Sequence, residues 1–199
     1  MTTTARIVLV SFLTLLAAVA TVLAASPAAE LVTEGRRALD ADRVDDAIAI
    51  FERAVAADAK EPSALAWLGS AQVRKATKIQ GMDAAGWVKR GFNTLDEAVE
   101  LFPNAFVVYL VRGLTARNVP DMFNKTPVAV SDLKTVVTMR EKNAQAVPDS
   151  VMPVVFLNLG LAYKKAGKTA DARAAWEQAR KAYPAAPETR AIENELRRL

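Results

Sequence analysis

The stretch Phe156–Pro184 (FLNLGLAYKKAGKTADARAAWEQARKAYP) constrains this chain most, because apolar residues recur at helical steps on both sides of a glycine turn. Phe156, Leu159 and Tyr163 fall on one face of a first helix, and Ala172, Trp176 and Ala179 on one face of a second. Gly167 stands where the first helix must stop, since glycine takes the left-handed conformation past a helix C-terminus at little cost. Thr169 is the expected N-cap of the second helix, and Asp171 in its first turn suits the positive end of the helix dipole. Glycine inside a helix costs about 1 kcal/mol against alanine. Gly160 therefore predicts a close approach by the partner helix, at the small Ala172. Pro184 ends the second helix.

The pattern returns upstream. Gly35 is followed by Ala47, Phe51 and Ala54 at the offsets that separate Gly160 from Ala172, Trp176 and Ala179. The order Phe156, Leu159, Gly160, Tyr163, Gly167, Ala172, Trp176, Ala179, Pro184 resembles the tetratricopeptide repeat, a helix–turn–helix unit of about 34 residues. Gly35 and Gly69 lie 34 residues apart. Gly69 to Gly113 spans 44 residues and Gly113 to Gly160 spans 47, a surplus of 10 and of 13 over one repeat. That surplus is expected in loops at Ala76–Gly86, at Asn118–Thr126 and around Ala144–Pro153. Unit two resumes with Gly91, Leu95, Ala98 and Pro103, and unit three with Ala129 and Leu133.

The resemblance implies an all-α protein, an α-solenoid of about four helical hairpins over residues 27–199. Within it, Ser26-Pro27 starts a helix running to about Ala41, Asp42–Val44 turns, and Asp45–Ala57 follows. Pro62 opens unit two, whose second helix reads from Trp87 to Phe102. Asn104 is the expected N-cap of Ala105–Arg117, a helix apolar nearly all round and so expected to be buried on both sides. Pro187–Leu199, with Ile192, Leu196 and Leu199 in one stripe and a Glu193–Arg197 pair, has the character of a capping helix.

Ahead of the repeats, Met1–Arg6 is short and polar with one positive charge, and Ile7–Ala25 carries no charge. Val22-Leu23-Ala24 offers compact residues for cleavage after Ala24, the layout of a secretory signal peptide over residues 1–24. The alternative is an uncleaved membrane anchor, because the run approaches the ~20 residues that span a bilayer. Either reading puts the folded part outside the cytoplasm, in a bacterial periplasm or cell envelope. Without Arg6 the chain holds 25 basic and 22 acidic side chains, a balance too mild to point to nucleic acid.

Cysteine and histidine are both absent from the chain. Disulfides, thiolate metal sites and iron–sulfur clusters are thereby excluded, and with them the usual general base. Carboxylate pairs such as Asp45-Asp46 and Asp96-Glu97 sit on helices where solvated faces are the default, and no nucleophile elbow, phosphate loop or dinucleotide fingerprint occurs. The chain reads as non-catalytic, with no cofactor and no metal; a hydrolase with a lone carboxylate is the least supported alternative.

In the family it resembles, the signature residues pack, and side chains of each first helix bind on the concave face. Carried over, those positions are Val32, Arg36, Leu39 and Asp40 in unit one, and Ala66, Ser70, Val73 and Arg74 in unit two. Unit three gives Leu110, Leu114, Arg117 and Asn118, and unit four Leu157, Leu161, Lys164 and Lys165. Arginine holds a carboxylate in bidentate fashion, so a basic and aliphatic groove suits an acidic peptide. The alternative is that cations near helix ends favour the dipole and stay solvated. The family's clamp for C-terminal carboxylates needs residues that Val32 and Arg36 do not supply. Met122 and Phe123, two large apolar residues in a turn-rich loop, either seal the stack beneath the loop or contact a partner. The expected partner is a protein or peptide, and the expected role an interaction scaffold or adaptor, with a chaperone or a receptor for an acidic peptide or small ligand as alternatives.

Overall fold

Ser26 accepts a hydrogen bond from the Ala29 amide (3.1 Å), and Pro27 occupies the first turn, so the first helix begins where a capped, proline-led helix should. The computed structural model describes residues 26–79 and 81–199. The expected signal peptide or anchor lies outside the described residues. Among the described residues nine α-helices follow one another: α1 Pro27–Asp40, α2 Val44–Ala57, α3 Pro62–Lys75, α4 Met82–Leu101, α5 Phe106–Asn118, α6 Thr126–Lys142, α7 Met152–Lys165, α8 Thr169–Ala182 and α9 Thr189–Arg197. They form four antiparallel hairpins, α1–α2 to α7–α8, each stacked on the next, with α9 over the end. The expected all-α solenoid is the observed fold.

The turns repeat as the sequence repeats. Past α7, Gly167 adopts φ 72°, and the Lys168 amide donates to Tyr163 O (2.9 Å), closing the helix end. Asp42 holds the equivalent place after α1 with φ 59°, and Arg43 donates to Ala38 O (2.8 Å) in the same way. A turn legible from glycine in unit four is thus built in unit one from aspartate, one of the few other residues that tolerate this conformation.

Inside each hairpin a glycine on the first helix meets the second helix. A Cβ at Gly35 would stand 2.6 Å from the Phe51 ring, and one at Gly160 would run into the indole of Trp176. The close approach at Gly160 is therefore to Trp176, not to Ala172 as expected. The tryptophan is fully buried and donates through Nε1 to Leu157 O (3.1 Å), which holds the ring flat over the glycine. In unit two glycine meets glycine: a Cβ at Gly69 would lie 2.8 Å from Gly91 O, so the α3 and α4 backbones nearly touch.

Two apolar clusters meet on α3. Ala64, Leu68 and Ala71 close the cluster of unit one around Phe51, while Ala66 and Val73 open the larger one, which continues to Ile192 of α9. Arg112 of α5 fastens the middle of the stack. It donates bidentately to the buried Asp132 of α6 (2.8 and 2.9 Å) and once to Asp96 of α4 (2.8 Å). Those bonds raise the Arg112 pKa, and burial pushes the Asp132 carboxyl up against the pull of the guanidinium.

Several expected boundaries are corrected. Helix α4 begins at Met82, five residues before Trp87, because Gly81 (φ 74°) turns the chain into it and accepts from the Ala84 amide (3.2 Å). A 3-10 turn at Ala76–Lys78 follows α3 there. Neither Asn104 nor Thr169 caps a helix: Ala105 and Lys168 hold those positions without side-chain bonds, each one residue away from the expected cap. The loop expected around Ala144–Pro153 is there between α6 and α7, with a 3-10 turn at Asp149–Val151, Val147 buried, and Arg140 bonded to Val147 O (2.9 Å) and to Asp149 (2.8 Å). On α5, Val108 and Val111 are buried, but Val107, Leu110 and Leu114 are only half-buried or less enclosed, so one side stays open. Arg197 bonds to Asn194 instead of Glu193, while Ile192 docks α9 as expected.

Opposite signs are expected from two glycine substitutions measured by urea denaturation. Gly160→Ala should lower stability by about 1–3 kcal/mol through overlap with the indole. Gly86→Ala, on an exposed stretch of α4 with nothing within 4 Å of the new Cβ, should raise it by about 0.5–1 kcal/mol. Equal midpoints would remove the packing assigned to Gly160. Arg112→Met should cost about 3–5 kcal/mol by stranding Asp132, and adding Asp132→Leu should recover a good part of the loss.

Candidate functional site: a groove on the first three units

Three first helices present their inner faces to a common groove of about 780 Å³. Arg36, Leu39 and Asp40 come from α1, Trp67, Ser70, Val73 and Arg74 from α3, and Val111, Leu114, Thr115 and Asn118 from α5. Trp67 in its wall stacks on the buried Phe51 ring, 6.5 Å away and nearly parallel, and the Arg36 guanidinium sits 4.9 Å from the indole centroid on the rim. The remaining walls come from outside the repeat pattern. Ala76, Thr77, Gly81, Ala84 and Ala85 belong to the surplus of unit two, and Val88 follows them on α4. Val119, Pro120, Met122 and Phe123 belong to that of unit three.

Of the residues proposed from sequence, the structure gathers Arg36, Arg74, Leu114, Met122 and Phe123 at this groove. Met122 and Phe123 part company. Phe123 packs against the core, whereas Met122 is 85 % exposed at the lip and seals nothing beneath the loop. Arg74 reaches Asp42 at 3.3 Å, and Lys78 bonds to the same carboxylate; these cations, Lys78 foremost, hold the Asp42 pKa below the usual aspartate range. Arg36 has no carboxylate within ion-pair distance among the described residues.

The other candidates are placed differently. Leu110 is half-buried against the core. Arg117 is half-buried with its Nε unbonded, and burial lowers its pKa. Lys164 pairs with Glu195 of α9 (2.7 Å). Lys165 donates to Val119 O (2.8 Å) and Arg117 O (3.2 Å) and pairs with Asp121 (2.9 Å), so it closes the end of α5 and pins the loop beyond it. It borders a separate open cleft of about 1060 Å³ that also holds Lys134, Lys142 and Lys168. Val32 and Ala66 are core, while Leu157 and Leu161 are half-buried against it. Sequence reasoning missed Trp67, Ala84 and Val88; the broken period was a signal for Ala84, whereas Trp67 lies within the regular repeat, one residue past Ala66.

Among the described residues, no group of three or more acidic, histidine or cysteine side chains is arranged to hold a metal ion, and no helix is long and apolar enough to cross a membrane.

Hairpins in this order, with glycine under an aromatic and a capping helix, define a repeat solenoid. Tetratricopeptide-repeat models match residues 32–76 and 155–186, the units that carry the pattern most fully. No curated protein matches the chain in sequence. Among solved structures, TTC0263, a thermophilic TPR protein of Thermus thermophilus, is 18% identical, with a TM-score of 0.52 over 85% of this chain and 98% of that one. MamA of MSR-1 is 22% identical, with a TM-score of 0.52 over 87% and 98% of the two chains. A MamA mutant is 23% identical, at 0.52 over 83% of each. The chain carries tetratricopeptide repeats in a tetratricopeptide-type fold.

The Lys164–Glu195 pair should make the docking of α9 pH-dependent. The lysine hydrogen bond holds the Glu195 pKa below its usual 4.5. A depressed carboxylate pKa adds stability above the unfolded value and loses it as pH falls through the folded one. Hydrogen exchange in α9 should therefore gain on the global rate as pH drops below 4.5. In Lys164→Met that acid-side change should largely vanish; an unchanged profile would show that the pair does not hold the cap.

Proposed function

We propose that this protein is a non-catalytic interaction scaffold or adaptor of the cell envelope, which engages a partner protein through the inner face of its first three units. One observation carries the reading: the first helices of three successive repeats converge on one groove with an arginine unpaired among the described residues, Arg36, on its rim and an exposed methionine, Met122, at its lip. Tetratricopeptide repeats are interaction modules whose signature residues are occupied in packing, as Gly35, Phe51, Gly160 and Trp176 are here. A flexible, polarizable methionine suits an adaptable apolar contact, and a guanidinium suits a carboxylate on the partner. The envelope setting, and membrane attachment if the N-terminal segment is retained, rest on the uncharged run Ile7–Ala25 alone.

Affinity capture from an envelope extract should yield a dominant partner with the native chain. It should lose that partner, at unchanged melting temperature, with Met122→Glu combined with Arg36→Glu. Retention by the double variant would exclude this groove as the docking face.

A further inference from the structure

The two insertions that break the repeat period wall the same cavity. Regular hairpins would leave an open channel along the first helices; here one turn and the start of α4 (Ala76, Thr77, Gly81, Ala84, Ala85, Val88) face the loop Asn118–Phe123 across it. The cavity's volume of about 780 Å³ falls in the range of small-molecule sites. It exceeds what one anchoring side chain fills, yet a helix about 10 Å across would lie over the mouth rather than within.

The lining chemistry selects further. Leu39, Trp67, Val73, Val88, Val111 and Leu114 supply apolar surface. Of the polar groups in the lining, Ser70 and Thr115 bond to each other (2.9 Å), Thr115 also lies against Val111 O (2.8 Å), Thr77 donates to Arg74 O (2.8 Å), and Asn118 stands at the end of α5. An extended peptide inside would bring backbone amides and carbonyls that find few partners there, and an unpartnered buried amide is costly. A hydrocarbon chain brings none. Arg74 in the lining pairs with Asp42, which Lys78 also engages, and Asp40 in the lining carries a further negative charge. Arg36, stacked on Trp67, is left as the cation without an ion pair among the described residues.

We infer that this cavity binds a long-chain fatty carboxylate, its tail between the two insertions and its head on Arg36, with Arg74 beside it. The inference goes beyond the scaffold reading, with which it shares Arg36, since it names a ligand that is not a protein.

Trp67 reports on it directly. Dibromostearate, whose bromines quench indole on contact, should quench the purified chain saturably at one equivalent, and Trp67→Phe should abolish most of that quenching while stearate still competes. Ala84→Phe, a half-buried position where a larger side chain points into the cavity mouth, should weaken binding by about tenfold or more, with its melting temperature measured alongside. Arg36→Gln should remove the preference for the fatty acid over the matching fatty alcohol. Non-saturating quenching, or equal affinity in native chain and folded Ala84→Phe, would overturn the proposal. An acid preference that persists in Arg36→Gln, or that the native chain lacks, would overturn the assignment of the head. Partner capture that survives in Ala84→Phe while fatty-acid binding is absent altogether would sink this inference and leave the scaffold standing.

Discussion

The distance between the two helices of a hairpin is set by a missing side chain. At Gly35 and Gly160 the first helix has nothing to hold off the ring of the second, and Phe51 and Trp176 fill the gap. Everything larger inherits that spacing, because a solenoid multiplies the geometry of one unit along its length. Aromatic burial supplies the driving force and glycine supplies the room, at a helical cost that the ring contacts offset. The stack Gly35–Phe51–Trp67–Arg36 shows how far the effect carries: the contact that closes unit one also positions the indole of unit two and the guanidinium on the groove rim.

Between units the logic changes from shape to charge. Units two and three are joined by hydrophobic contact and by Arg112, whose bonds tie α4, α5 and α6 together. A single buried acid facing a bidentate guanidinium specifies one register of α5 against α6, a role well suited to the place where the sequence pattern is weakest. Such a fastening adds orientation more than net stability, since desolvation consumes much of the attraction.

The parts of the structure that follow from periodicity were legible in the sequence. Four hairpins, the glycine turn at Gly167 and the capping helix all rest on apolar spacing and on residues with restricted backbone choices. The insertions were visible as surplus length, but their shape was not. Nothing in the apolar spacing announces that Met82–Gly86 extends α4, whose start is set by the turn at Gly81. Ion-pair partners were equally hidden. Lys164 and Lys165 occupy family binding positions, yet each finds a partner in another part of the chain, Glu195 on one side and the carbonyls of Arg117 and Val119 on the other. The turn at Asp42 was placed as expected, although a charged residue there takes the place that glycine holds in the last unit.

Lys165 carries a mechanical consequence. Its ammonium grips the carbonyls at the end of α5 and the Asp121 carboxylate, so the loop that walls the groove is tied to the fourth hairpin, far along the chain. One wall of the groove therefore belongs to two hairpins at once, the loop coming from the third and the cation that anchors it from the fourth.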